Sequence, residues 1–148
     1  MSVYSCQGSQ TAAAKTALTV VSTAAIRPRI IDVTLQQIGT PGSDASYEVH
    51  MKRFTAAGTT TAVTPASTDP NDPASTFTAG SNASAEPTYT ANTLIRDWAC
   101  NPRATFRWVA YDQRAEVILP ATAANGIGFL LNALGGAVTV LVDASVLQ

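Results

Sequence analysis

The sequence predicts an all-β protein, an antiparallel jelly-roll β-sandwich of about eight to nine strands that forms one domain over residues 1–148. Short segments alternate apolar and polar residues with a period of two, which is typical of strands buried on one face. Turn-forming residues separate them about every eight to twelve positions, as in sandwiches and barrels. The chain is 46% hydrophobic and 13% charged, a composition that suits a globular domain.

The clearest strand signal is RPRIIDVTLQQI, residues 27–38, in which Ile31, Val33 and Leu35 share one face. SYEVHMKRF, residues 46–54, repeats the pattern, and the turn signal GTPGSD between them predicts that the two strands pair as a hairpin. Further strands are predicted at residues 16–22, 59–64, 93–100, 104–111, 116–120, 127–131 and 137–144, with turns at 56–58, 101–102, 112–114, 125–126 and Gly135–Gly136.

The first fifteen residues are predicted to be an N-terminal arm. Only TAAAKTAL, residues 11–18, could begin a short helix. The region carries no basic segment followed by a long apolar run, so it does not have the pattern of a signal peptide. GIGFLLNALGGAVTVLVDASV is interrupted by Asn132 and a Gly-Gly pair, which indicates two strands and a turn rather than a membrane span.

Residues 65–87 are predicted to form an extended loop. Four prolines fall in this segment, and proline lacks an amide hydrogen and disfavours helix in the residue before it. Loops of this length are usually functional or disordered. We expect this loop to contact a partner molecule, and the alternative is an ordered loop folded back on its own domain. The expected contact residues are Asp69, Asp72, Phe77, Glu86 and, at the loop exit, Tyr89.

The charge and the reactive side chains argue for a protein without cofactors. The formal net charge of −1 leaves no basic face of the size that binds nucleic acid. His50 is the single histidine and falls on the polar face of a predicted strand, so no metal site and no catalytic role are predicted. Cys6 and Cys100 are expected to be buried, reduced thiols, with a disulfide as the alternative.

Two motifs in the predicted loop resemble binding or modification sites. Asp69, Asn71 and Asp72 alternate like a calcium loop, but the neighbouring prolines break the EF-hand pattern. Asn82-Ala83-Ser84 matches a glycosylation sequon and is interpreted as loop polarity. The chain is therefore expected not to be an enzyme, although a hydrolase built from groups on distant strands stays open.

An aromatic cluster is predicted where Trp98, Phe106 and Trp108 lie in neighbouring strands among arginines. Alternation places Phe106 and Trp108 on the core side of one strand and Arg107 on the other side. Arg96 and Trp98 could instead contact a sugar or a partner protein, since arginine and tryptophan are common in such surfaces.

Four segments, in fixed order, resemble a known family. They are RPRIIDVTLQQIGTPGSDASYEVHMKRFTAAGTTTAVTPASTDPNDPAS, EPTYTANTL, NPRATFRWVA and EVILPATAANGIGF, between about Arg27 and Phe129. Together they are similar to the small jelly-roll decoration, or cement, proteins of tailed-bacteriophage capsids.

The resemblance implies a structural virion protein that binds the major capsid protein on the outer surface of the shell as a homotrimer, assembled in the cytoplasm of the bacterial host. The alternative function is a jelly-roll adhesion or carbohydrate-binding module of a phage particle, which would use Arg96 and Trp98.

Overall fold

In a computed structural model that describes residues 1–40, 44–134 and 138–148, the chain forms two antiparallel sheets packed face to face. The predicted all-β sandwich is confirmed. The described strands are β1 Val3–Gln10, β2 Lys15–Val21, β3 Arg29–Ile38, β4 Tyr47–Ala56, β5 Thr59–Val63, β6 Ala66–Ser67, β7 Thr78–Ala85, β8 Thr88–Cys100, β9 Phe106–Val109, β10 Val117–Ile118, β11 Gly126–Ala133 and β12 Thr139–Leu147. Sheet A has the order β10-β3-β12-β1-β6, with β9 also paired to β3, and sheet B has the order β5-β7-β2-β11-β4-β8.

The predicted hairpin of β3 and β4 is wrong, because the two strands lie in different sheets. Leu35 of β3 is paired with Val142 of β12, and Met51 of β4 is paired with Phe129 of β11. Alternation shows that each strand has one apolar face but does not show which strand is its hydrogen-bonded neighbour, and here the two apolar faces meet across the stacked sheets. Residues 41–43 of the predicted turn GTPGSD, the predicted turn at Gly135–Gly136 and the first residue of the strand predicted at 137–144 lie outside the described residues.

The N-terminal arm is also a wrong prediction, since β1 lies inside sheet A between β12 and β6. Its buried row is Tyr4, Cys6, Gly8 and Gln10. At Gly8, any Cβ atom would overlap the backbone of β2, so glycine allows the two sheets to approach closely. The possible helix at residues 11–18 is instead a turn followed by β2, because pairing with β11 and β7 outweighs the helix propensity of the alanines.

Much of the predicted extended loop is part of the sandwich. β6 is paired with β1, and β7 is paired with β2 and β5. The prolines lie outside these two strands, so they end strands without interrupting them. Residues 68–77 connect β6 to β7 and pack on β1, where the Tyr4 hydroxyl donates a 2.7 Å hydrogen bond to the Pro73 carbonyl.

Phe77 belongs to the core, so the expectation that it is exposed and meets a partner is wrong. Its side chain is 1% exposed and lies edge-on to the Tyr4 ring, with 5.6 Å between ring centroids. The core lies between the inner faces of the two sheets. Cys6 and Cys100 are buried and free. The largest fully buried side chains of this core are Tyr4, Tyr47, Phe77, Phe129, Leu18, Ile30, Leu35, Met51, Leu119, Ile127 and Leu131.

Candidate functional site

Four arginines line one groove at an edge of the sandwich, which we call the arginine groove. Arg27 precedes β3, Arg53 is in β4, Arg96 is in β8, and Arg114 lies in the connection between β9 and β10. The groove has a volume of about 340 Å³ and contains backbone and side chains from both sheets. Its other lining residues are Ile95, Ala115, Glu116, Val117 and Ile118.

Two of these arginines occupy positions at which the strand pattern calls for apolar residues. In β4 the row Tyr47, Val49 and Met51 is buried, and the next residue of that row is Arg53. In β8, Arg96 lies two residues before the buried Trp98, on the same side of the strand, and is paired with Met51. Residues that break the local pattern of a fold concentrate at functional sites, so these positions single out the groove.

Two arginines of the groove, Arg53 and Arg96, are held by neutral groups. Arg53 reaches across to sheet A and donates a 3.0 Å hydrogen bond from Nη1 to the Ile118 carbonyl. Arg96 donates to the Ile95 carbonyl at 3.1 Å, and its guanidinium lies 5.5 Å from the centre of the Trp108 ring. Among the described residues, none of the four arginines of the groove forms an ion pair.

The acidic residue of the groove, Glu116, is already neutralised. Its carboxylate lies 3.1 Å from Nη1 of Arg29, and its side chain is 10% exposed. By contrast, Arg103 and Arg107 lie outside the groove and are paired with Asp44 and Asp32. The groove therefore carries the uncompensated charge of four guanidinium groups.

The near-zero net charge of the chain hides a strong separation of charge. The chain has nine basic and ten acidic residues. Five of the basic residues and one of the acidic residues belong to the groove or to its Arg29–Glu116 pair. The remainder of the chain is left with four basic and nine acidic residues. The groove thus has a formal charge of +4 and the rest of the molecule −5, an asymmetry that focuses an electrostatic field on the groove.

Beside the groove, the aromatic cluster closes the edge between the two sheets. The Trp98 ring lies 5.7 Å from Phe106 and 6.2 Å from Trp108, centroid to centroid. Phe106 and Trp108 pack against the core as predicted, and Arg107 faces outward and bonds Asp32. Trp98 is only 9% exposed, so the expectation that its ring contacts a sugar or a partner protein does not hold for this structure.

A second polar cluster lies on the outer face of sheet B, and we call it the His50 cluster. Nε2 of His50 lies 3.2 Å from a Glu48 oxygen and 3.4 Å from an Asp97 oxygen, although neither contact has hydrogen-bond alignment. The hydrogen bond from the Asn132 amide, and then the neighbouring His50 imidazole, lower the pKa of Glu48. One ligand atom from each of the three residues lies within 4.8 Å of the others, a set that could hold a proton or a cation.

Sequence reasoning placed Glu48 and His50 on one polar face but did not place Asp97 beside them. The side chain of His50 is partly buried, at 16% exposure, rather than free on the polar face. Asp97 reaches it because β8 pairs with β4 in a register that sets Asp97 opposite His50. Such cross-strand neighbours are 47 positions apart in the chain, and no local pattern in the sequence marks them.

Two expected interface residues, Glu86 and Tyr89, are instead engaged with β2. The Glu86 carboxylate accepts hydrogen bonds from the amide and the hydroxyl of Thr16, at 3.1 and 2.6 Å. The Tyr89 hydroxyl lies 2.7 Å from the same Thr16 hydroxyl, and burial raises the pKa of Tyr89 above its usual range. Gly128 leaves the space in which the Tyr89 ring lies.

The expected acidic contacts, Asp69 and Asp72, form a surface turn. A side-chain oxygen of Asp69 accepts a 2.9 Å hydrogen bond from the Asn71 amide, and Asp72 accepts one from the Ser67 hydroxyl. This turn follows β6, which is at the opposite edge of sheet A from β10 and the arginine groove. The expected interface residues are therefore spread over separate parts of the molecule, and Arg96 is the one that lines the groove.

Comparisons with protein-family models, curated proteins and solved structures find no match to this chain. Within residues 1–40, 44–134 and 138–148, no helix has the length and apolar character needed to cross a membrane.

Proposed function

We propose that this chain is a structural protein of a tailed-bacteriophage particle, which binds the outside of the capsid and stabilises it as a homotrimer. The observation that carries the proposal is the arginine groove. A guanidinium stays protonated at any physiological pH and serves neither as a base nor as a nucleophile. Four of them without carboxylate partners suit the recognition of an anionic surface. The resemblance of residues 27–129 to cement proteins supplies the partner, the major capsid protein.

The strand order supports this proposal. β1-β12-β3-β9 of sheet A face β2-β11-β4-β8 of sheet B, and the first four strands alternate between the sheets along the chain. We infer a jelly roll from this order, since eight strands in two sheets with such crossing connections define that fold. Of the remaining four strands, β5, β6 and β7 extend both sheets at the edge opposite the groove, and β10 pairs with β3 beside the groove.

The placement of the terminal strands also suits a protein that reinforces a shell. β12 has neighbours on both sides, β1 and β3, and β1 lies between β12 and β6. The backbones of Ser2 and Gln148 exchange two hydrogen bonds, of 3.0 and 2.9 Å. Pulling out either terminal strand would break two ladders at once. In a trimer, three such rigid units bound to equivalent capsid sites would gain avidity.

Co-sedimentation with undecorated capsids of a tailed bacteriophage tests this function. We expect saturable binding, greater resistance of the decorated shell to heat, and added density on its outer surface by cryo-electron microscopy. Light scattering should give the mass of three chains, either in solution or after release from capsids. A chain that leaves capsids undecorated and stays monomeric would contradict the proposal.

A second candidate function is an adhesion or carbohydrate-binding module of a phage particle. Trp108 favours it, because its side chain is partly exposed beside Arg96 at the edge of the groove. A glycan array with the wild-type chain and with Trp108→Ala would separate the two functions. Binding to a glycan that is lost in the variant, together with no binding to capsids, would favour the module.

A further inference from the structure

We propose that the arginine groove binds an acidic peptide segment of a partner protein. This inference deepens the proposed function and names the chemistry of its partner: on that function, the segment belongs to the capsid protein. The groove would be the docking site, and glutamate and aspartate carboxylates would be the groups it recognises.

The donors in the groove are free to bind carboxylates. Arg27 and Arg114 have no side-chain partner among the described residues, whereas Arg53 and Arg96 each give one Nη1 to a backbone carbonyl. That single bond fixes the guanidinium in place without neutralising it, and most of its N–H donors remain. A planar guanidinium with fixed orientation can bind a carboxylate through two parallel hydrogen bonds, and prior fixation lowers the entropy lost on binding.

The walls of the groove favour a peptide over a sugar or a nucleic acid. Ile95, Val117 and Ile118 lie among the charges and match the aliphatic parts of a peptide. Sugars and bases usually stack on exposed aromatic rings. Here Trp98 is 9% exposed, and Arg96 lies over one face of the partly exposed Trp108 ring, so the groove offers little free ring surface for stacking.

The charge of the rest of the molecule also limits the ligand. Beyond the +4 groove, the chain carries a formal charge of −5. A long polyanion would extend past the groove and be repelled, since charges interact over roughly 10 Å at moderate salt. A short acidic segment would contact the groove alone.

The test is titration of the full chain with a glutamate-rich peptide, with its glutamine counterpart, and with a sulfated heparin oligosaccharide, by calorimetry and by tryptophan fluorescence. Arg27→Gln/Arg114→Gln removes two charges of the groove. Arg103→Gln/Arg107→Gln is the matched control, because it removes two arginines paired with Asp44 and Asp32 elsewhere. All four side chains lie at the surface, and melting curves will verify that both variants fold.

We expect the glutamate peptide to bind, the glutamine peptide not to bind, and added salt to weaken the binding. The groove variant should lose about tenfold or more in affinity, as expected for the loss of charge-assisted hydrogen bonds, and the control variant less than about twofold. Equal losses in both variants, no binding of the glutamate peptide, or tighter binding of the oligosaccharide than of the peptide would overturn the proposal.

The same variants separate this inference from the proposed function. If the groove variant decorates capsids as well as the wild type does, the groove is not the docking site, although the capsid function stands. If the peptide binds in the groove but the wild type does not bind capsids, the groove stands and the capsid function falls.

Discussion

Replacing Phe77 with alanine should destabilise the fold of a single protomer. Its ring is 1% exposed and packs edge-on against Tyr4 at 5.6 Å. Removing a fully buried phenylalanine side chain costs about 3–5 kcal/mol. This is a large part of the free energy of unfolding of a typical domain, which is about 5–15 kcal/mol. For a chain of about 150 residues this loss lowers the melting temperature by about 6–20 °C.

The assay is equilibrium unfolding in urea, followed by circular dichroism and by fluorescence, for the wild type and for Phe77→Ala. Tyr111→Ala is the control, because Tyr111 is 86% exposed and its loss should change the free energy of unfolding by less than about 0.5 kcal/mol. A double-mutant cycle with Tyr4→Ala should give a coupling energy of about 0.5–1.5 kcal/mol, as for other edge-to-face aromatic pairs.

The reasoning is refuted if Phe77→Ala unfolds at the same urea concentration and with the same slope as the wild type. Such a result, combined with weaker assembly or weaker binding to capsids, would mean that Phe77 faces a partner molecule. Residues 68–77 would then not pack on β1 as described.

Three further predictions concern space, ionisation and metals. Gly128→Ala should destabilise the fold by about 1–3 kcal/mol, because the new Cβ would overlap the Tyr89 hydroxyl and lie 3.0 Å from the ring. Adding Tyr89→Phe should restore part of this free energy, as measured by urea unfolding. No recovery in the double variant would count against the contact. Burial, and then the charge of Asp143, raise the pKa of the Cys6 thiol from 9.0 to about 12. As the pH rises, the thiol therefore ionises in the unfolded chain before it ionises in the folded one. The free energy of unfolding should fall between pH 9 and pH 12. Urea unfolding on both sides of pH 9 should show a shallower fall in Cys6→Ala, and an unchanged slope would exclude this origin. A chelator should leave the melting temperature unchanged, as the sequence predicts; a fall of several degrees that is absent in His50→Gln would instead assign a bound metal to the His50 cluster.

Local alternation in the sequence predicts where most strands lie and, for most of their residues, which way the side chains face. Val33 and Leu35, like Val49 and Met51, are buried as their alternation predicts. The prediction that Ile31 shares the face of Val33 and Leu35 is wrong, because the pairing of β3 with β12 shifts between Asp32 and Ile30, which buries Ile30 and leaves Ile31 only partly buried. The same local signal placed Phe106 and Trp108 toward the core and Arg107 toward solvent.

The strands that were missed lack such a signal. β1 reads VYSCQGSQ and β7 reads TAGSNASA, and their small residues differ little in hydrophobicity from one position to the next. They are strands because neighbours pair with them on both sides. The burial of Phe77 was missed because the ring it packs against, Tyr4, is 73 positions earlier in the chain.

The arginine groove and the His50 cluster are formed only when distant segments come together in the tertiary structure. Arg27, Arg53, Arg96 and Arg114 come from four separate parts of the chain, and in the composition their charge is cancelled by acidic residues that lie elsewhere in the fold. Alternation is a property of neighbouring residues, so it can be read from the sequence. Which sheets stack, and which charges meet at their edge, depends on the burial of apolar faces from distant segments, and that free energy exists only once those segments are packed together.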